Sequence, residues 1–315
     1  MMPKPMEGID TSHAPPPHAP PVRVGVIGLG TVGATTAQLC RQRGFEVRGF
    51  DTQPAALDAA SASGLVRVAT AAEVVDAATS VVLVCVPTPP APVGGHDTTA
   101  VQAACAALSQ ARCLCPVLVM STVCPGTTAS FAAMHPSLRL FHCPEFLSSA
   151  TKEYDMLHCS RAILGVTPGM PAAMTDRACV FLRRLHPGAA DSVSVVKASE
   201  SEATKLFCNV FYALKVRAFT SFYAACGAMS HSASGAASAG ACDTPNYDVV
   251  RQLMVGQGWI HPMHTYVPGA DGAIGVHGAC LPKDCMAAIS WLGVAPEGTL
   301  SKELAYLKAI LQLSV

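Results

Sequence analysis

The chain has 315 residues, half of them apolar, with 21 basic and 21 acidic side chains and no formal net charge. That length can bury one large core or two modest ones, and the charge balance gives no reason to expect nucleic acid or an anionic membrane as a partner. The 14 cysteines sit in apolar segments such as "VVLVCVP" and "AVQAACAAL", so they predict reduced thiols in a cytoplasmic protein, not the disulfide scaffold of a short secreted chain.

Residues 1–21, "MMPKPMEGIDTSHAPPPHAPP", hold no apolar core and read as a disordered Pro-rich tail, not a signal peptide. No apolar run is long enough to span a bilayer. After the tail, "VRVGVIG" predicts a buried strand, "ATTAQLCRQRG" a helix closed by Gly44, and "EVRGFD" a second strand. The alternation continues with a helix near "AAEVVDAA", strand "SVVLVCV", helix "TTAVQAACAALSQA", strand "CPVLVMST" and a helix from "PGTTASF". "RLFHCPEF", "RAILGV" and "SVSVV" predict three further strands, with the helix "PAAMTDRACVFLRRL" between the last two. Val- and Leu-rich strands alternating with helices predict a parallel sheet covered on both faces.

From Ala198 the pattern changes. "ASESEATKLFCNVFYALKVRAFTSFYAACGAM" has no Gly or Pro before Gly227 and predicts one long helix opening a second, helical domain. "SHSASGAASAGACDTP" reads as a flexible insertion. A short helix "YDVVRQLMV", an irregular loop from Gly256 to Ala279, and helices at "KDCMAAISWL" and "SKELAYLKAILQL" complete the chain.

Several motifs carry chemistry. "GLGTVG" sets Gly28, Gly30 and Gly33 in G-x-G-x-x-G spacing after a strand, with Thr31 and Val32 opening the next helix. Asp51 closes the following strand, which completes the context of a dinucleotide fingerprint. The glycines admit a pyrophosphate to the backbone at a helix N-terminus. Asp51 would accept from ribose hydroxyls and repel a 2′-phosphate, which favours NAD over NADP. "STVCPGTT" places Ser121 and Thr122 at a strand's C-terminal end, either as ligand groups or as a polar strand end before a helix cap. Glu145 in "CPEFL" reads by itself as a loop carboxylate. "CLC" at Cys113 and Cys115 has no second paired motif, so no metal site is expected.

Lys205 and Asn209 lie four apart on one face of the long helix. The surrounding Leu206, Phe207, Val210 and Phe211 are apolar, so the lysine needs a partner, and a desolvated ammonium can stabilise developing negative charge. In "GACLPKD", Pro282 suits the first position of a helix. Cys280 then stands just outside a helix N-terminus with Lys283 nearby. Both features favour thiolate, the nucleophilic form, and no other cysteine combines them.

Taken together and in order, "VGVIGLGTVG", "EVRGFD", "VCVPTP", "STVCPGTT", "PEFL", "EATKLFCNVFYALK" and "GACLPKD" resemble the UDP-glucose/GDP-mannose dehydrogenases over residues 22 to about 295. The resemblance implies a Rossmann-type, doubly wound α/β domain at 22–197 and a helical domain at 198–315, led by the long helix. It implies a homodimer built on that helix. It also implies a four-electron oxidation of a nucleotide sugar at C6, UDP-glucose being the first choice. By motif, Cys280 would form a thiohemiacetal and then a thioester. Lys205 and Asn209 would hold the oxygen at C6, Asp284 would assist proton transfer, and Glu145 with Thr122 would position water. Thr88, Thr122 and Lys283 would lie along NAD, and His277 and Gly278 would face the substrate.

Some positions depart from the family pattern. His277 replaces the first glycine of a pair, and Ser148 and Ser149 follow "PEFL" where a second acid is usual. Thr220 and Ser221 replace an Asn-Glu pair, and "GWIHPMHTYVPGADG" lacks an expected arginine. The chain ends where the family continues into a domain that binds the nucleotide half, so a short form is implied. Two rival readings stand beside this one: a two-electron hydroxyacid-type dehydrogenase, and a non-catalytic NAD-binding scaffold.

Overall fold

The computed structural model describes residues 22–92, 94–147, 151–189, 191–232, 244–293 and 301–312. The Pro-rich tail, Ser148 and Ser149, and most of the Ser/Ala/Gly stretch lie outside them.

Eight strands form one sheet: β1 (Arg23–Ile27), β2 (Glu46–Phe50), β3 (Val66–Arg67), β4 (Thr79–Val84), β5 (Pro116–Val119), β6 (Arg139–His142), β7 (Ala162–Val166) and β8 (Val193–Lys197). Their spatial order is β3-β2-β1-β4-β5-β6-β7-β8. Every pair is parallel except β6 with β7. The sheet is therefore mostly, not wholly, parallel. Its strand order reverses between β1 and β4, and ligands of open α/β sheets bind at such a switch point, beyond the carboxyl ends of the strands.

The central strands are apolar on both sides because both faces are covered. Helices α1 (Thr31–Gln42), α5 (Lys152–Leu157) and α6 (Ala172–Leu185) pack on one face, where Leu39, Phe45, Leu83, Leu118, Phe181 and Leu182 form one core. On the other face, α3 (Thr99–Gln110) and α4 (Thr127–Met134) bury Val82, Val84, Val101, Leu108, Phe131 and Leu140.

Local expectations are corrected in five places. "AAEVVDAA" does not continue as a helix, and only Ala71–Val74 forms a 3-10 turn. The cause is Asp76: its carboxylate pairs with Arg23 and, at 3.1 Å, Arg48, and it accepts from Ala78 N at 2.9 Å, which turns the chain into β4. A helix α2 (Pro54–Ala62), with proline in its first turn, and the two-residue β3 both escaped the periodicity reading. "RLFHCPEF" is a strand only to His142, since Pro144 lacks an N–H and the Glu145 carboxylate takes Leu147 N at 2.6 Å. The six-residue α5 was not foreseen.

The long helix is real and runs past Gly227. It is α7 (Ala198–Ser232), 35 residues, beginning directly after β8. Ser201, Glu202, Lys205, Leu206, Asn209, Val210 and Ala213 are buried, a spacing that marks one helical face. That face meets α9 (Leu281–Gly293), and Leu206, Val210, Ala213, Cys285, Ala287 and Ala288 form a separate core. Helices α8 (Tyr247–Gly256) and α10 (Ser301–Gln312) complete the described elements. Among the described residues no helix is long and apolar enough to cross a membrane.

Candidate active site

The glycine loop after β1 fits a dinucleotide on steric grounds. Gly28 has φ +90°, and a Cβ there would lie 2.6 Å from the carbonyl oxygen of Cys85. A Cβ on Gly33 would come within 1.9 Å of Gly28 O, so that position holds the helix against the strand turn. A Cβ on Gly30 would meet nothing within 4 Å. That space opens beside the N-terminus of α1, which carries no side-chain cap and no acid in its first turn, leaving backbone N–H groups free for a phosphate. Thr31 and Val32 are the first two residues of that helix.

Asp51 follows β2 with both oxygens held by backbone: Oδ2 accepts from Leu29 N at 2.6 Å and Oδ1 from Gln53 N at 2.8 Å. A carboxylate has about four acceptor positions, so capacity for two hydroxyls remains. Beside it a cleft of about 580 Å³ is lined by Phe50, Leu57, Val68, Ala69 and Glu73. Thr88 Oγ1 donates to Thr122 O at 2.7 Å, tying the loops after β4 and β5 together beside the switch point. Ser121 Oγ donates to Val86 O at 2.7 Å across the same two loops. The residues present fit NAD.

Across the sheet's edge, α7 and α9 bring the remaining candidates together. Lys205 is buried, and its ammonium lies 3.5 Å from Glu145 Oε1 and 5.2 Å from the Phe146 ring centroid. Glu145, which the sequence left as a loop carboxylate, is the partner this lysine required. One turn along α7, Asn209 Nδ2 donates to Asp284 Oδ2 at 2.5 Å. Asp284 sits in the first turn of α9 with its side chain 1% exposed. Its other oxygen takes His96 Nε2 at 2.9 Å and Lys283 Nζ at 2.5 Å. Burial pushes this carboxyl up, but hydrogen bonds from His96, Lys283 and Asn209 and the lysine charge outweigh it and hold the acid at about 2.

Cys280 precedes α9, and its carbonyl accepts from Asp284 N at 3.0 Å, so it occupies the helix cap. Among the described cysteines it alone is exposed. Cys285, one turn further along, is buried, and burial pushes its thiol up to about 12. His277 is exposed and folds onto its own loop, with Nε2 2.6 Å from Ile274 O. Gly278 beside it has φ +85° and open space around it. The acid of α9, Asn209, Lys283 and the Lys205–Glu145 pair thus share one region, whereas no hydrogen bond joins His277 to them.

Two residues of this region were not among the site groups read from the sequence. His96, in the loop before α3, is a lone histidine with no motif around it. Glu202 is fully buried and accepts from Gly126 N at 2.6 Å and Thr128 N at 2.7 Å. It caps α4 from another helix. Burial raises its pKa, and these hydrogen bonds oppose the rise. Its place three residues before Lys205, on the same face, was the available clue.

Residues 55–177 match the NAD-binding domain of the UDP-glucose/GDP-mannose dehydrogenase family. Residues 12–91 also match the NAD-binding domain of the D-isomer specific 2-hydroxyacid dehydrogenases. A UDP-glucose 6-dehydrogenase of Streptococcus pneumoniae is 32% identical over 126 residues, covering 39% of this chain and 32% of that protein. A putative UDP-glucose 6-dehydrogenase of Bacillus subtilis is 38% identical over 94 residues, covering 27% and 22%. The matches thus span a third or less of these curated relatives. Among solved structures, a UDP-glucose dehydrogenase from the archaeon Pyrobaculum islandicum superposes with a TM-score of 0.72 at 27% identity, over 96% of this chain and 69% of that one. A 3-hydroxyisobutyrate dehydrogenase of Mycobacterium tuberculosis gives 0.64 at 20% identity over 93% of both chains, a likeness of fold. The resemblance read from the motifs is borne out, and the nucleotide-binding domain is of the NAD type.

Proposed function

We propose that this relative of the UDP-glucose/GDP-mannose dehydrogenases is an NAD-dependent nucleotide-sugar 6-dehydrogenase. One observation carries the reading: a helix start that presents the exposed thiol of Cys280 also holds Asp284 one turn away, fixed by Asn209 from α7. UDP-glucose is the first substrate to try, since both curated relatives bear that name.

When bound, NAD supplies a hydride acceptor. The chain's own groups do the rest. Lys205 and Asn209, at i and i+4, face an oxygen that gains negative charge as the C6 alcohol is oxidised. Glu145 keeps the ammonium of Lys205 paired until that charge develops. Cys280 adds through Sγ to the C6 aldehyde, giving a thiohemiacetal whose oxidation leaves a thioester. Water hydrolyses the thioester, releasing the carboxylate and restoring the thiol, with Asp284 assisting proton transfer and Glu145 and Thr122 positioning the water. Over the cycle one sugar alcohol, one water and two NAD+ yield a carboxylate, two NADH and three protons. Phe207, Phe211, Phe222 and Tyr223 of α7 are exposed, and these aromatic groups support a homodimer formed on that helix.

The match of residues 12–91 to a hydroxyacid-dehydrogenase domain favours a second reading, a two-electron oxidation without a covalent step. NADH formed per substrate consumed separates the cases. Two per nucleotide sugar supports the proposal, one per hydroxyacid supports the hydroxyacid type, and none with any member of a panel of both classes, despite NAD binding, leaves a scaffold.

A further inference from the structure

Three side chains remote in sequence meet behind the acid of α9. His96 lies in the loop between β4 and α3 with its side chain 1% exposed. Its Nε2 is 2.9 Å from Asp284 Oδ1 and 3.2 Å from Lys283 Nζ. Its Nδ1 is 3.8 Å from Sγ of Cys124, which lies in the loop after β5. The loop carrying His96 is itself held. Pro90 and His96 form a bridge, Asp97 N donates to Pro89 O at 2.8 Å, and a Cβ on Gly94 would come within 2.4 Å of Ser290 Oγ on α9.

The contacts decide where the ring proton sits. A 2.9 Å approach of nitrogen to a carboxylate is attractive only when that nitrogen carries hydrogen. Lys283 needs no acceptor from the ring, because it already donates to Asp284 Oδ1 at 2.5 Å. Nδ1 then faces the Cys124 thiol, whose Sγ also donates toward the Ala287 carbonyl oxygen at 3.9 Å. Burial raises that thiol, which keeps its proton in place.

We infer that His96 is a positioning residue that keeps Asp284 paired when Lys283 turns away to the cofactor. The inference rests on the proposed placing of Lys283 along NAD. In the arrangement seen here Lys283 and His96 share one oxygen of Asp284, and Asn209 takes the other. If Lys283 leaves with no replacement, a buried carboxylate oxygen loses its donors, which is costly. His96 stays, since it is fixed by its own loop and by Cys124. It therefore lowers the cost of freeing Lys283 and keeps the carboxylate in the orientation that meets Asn209.

The test needs no turnover. NADH fluorescence titration of the full chain, run well below the melting temperature of either protein because loss of the bond to Asp284 lowers stability, should show His96→Ala binding about tenfold or more weakly. His96→Gln, whose amide N–H reaches the same oxygen, should recover most of the affinity. In Lys283→Met the His96→Ala change should have little further effect on NADH, because no lysine remains to be released. Nitrogen-15 shifts of the His96 ring should report the proton on Nε2. Turnover with nucleotide sugar should fall about 100-fold in His96→Ala and recover in His96→Gln. The inference is overturned if His96→Ala binds NADH as tightly as the unmodified protein. Equal losses in the Ala and Gln variants also overturn it, since they mark a purely structural residue. Absence of turnover in the unmodified protein bears on the proposed reaction alone and leaves the NADH titration to decide this one.

Discussion

Replacing Asp284 by asparagine removes a negative charge that three donors hold in a buried site. The acid is lowered from 3.8 to about 2, and a lowered acid contributes stability above its unfolded pKa and loses it as pH falls through the folded one. That shift is worth about 2 kcal/mol above pH ~5, about 1 kcal/mol near pH 3 and a few tenths near pH 2. Asp284→Asn should therefore be less stable than the parent by about 2 kcal/mol or more at neutral pH, because the amide also turns a donor toward Asn209. The gap should narrow by about 1 kcal/mol by pH ~3. Urea unfolding followed by far-ultraviolet circular dichroism at neutral pH, pH 5 and pH 3 measures it. Glu202 has the opposite sign, since its raised pKa makes stability fall as pH rises through its titration. Comparing parent and variant at each pH cancels that background. A gap that stays constant from neutral pH to pH 3 would show that Asp284 is not held ionised by these partners, and the reasoning from its geometry fails.

Three further outcomes are expected. Cys280→Ala should retain NADH binding but lose acid production with two NADH per sugar, and iodoacetamide should label Cys280 of the parent well ahead of Cys285, whose thiol is held up at about 12; full acid production by the variant removes the covalent step. Asp51→Ala should weaken NAD binding by about tenfold, as expected for losing hydrogen bonds to a charged group, and should relax discrimination against NADP; a parent that prefers NADP contradicts the placing of this acid. Phe211→Glu puts a charge on a ring that is 61% exposed on α7, so sedimentation should show a dimeric parent turned monomeric, and a monomeric parent disposes of the homodimer.

Much of the fold was decided by local chemistry, and that part was legible. Runs such as "VGVIG" and "VVLV", rich in β-branched residues and bounded by turn signals, read as strands covered on both faces, and the spacing of Gly28, Gly30 and Gly33 dictates a strand–turn–helix because two of the three positions have no room for a side chain. The buried face of α7 and the cap position of Cys280 likewise follow from helical period and from Pro282 in the first turn of α9. Local pattern failed where a distant partner took over. Asp76 ended a helical run because Arg23 and Arg48 lie beside it in the sheet. Strand β3 has only two residues, too few to show a period. The site shows the same division. Lys205 announced in its apolar surroundings that it needed an acid, but only the folded chain brings Glu145 to it, 60 residues away. His96 reaches Asp284 across 188 residues, and Glu202 caps α4 across 74. Periodicity and turn chemistry act over a few residues, whereas the pairing of a buried charge depends on which loops the sheet order sets side by side.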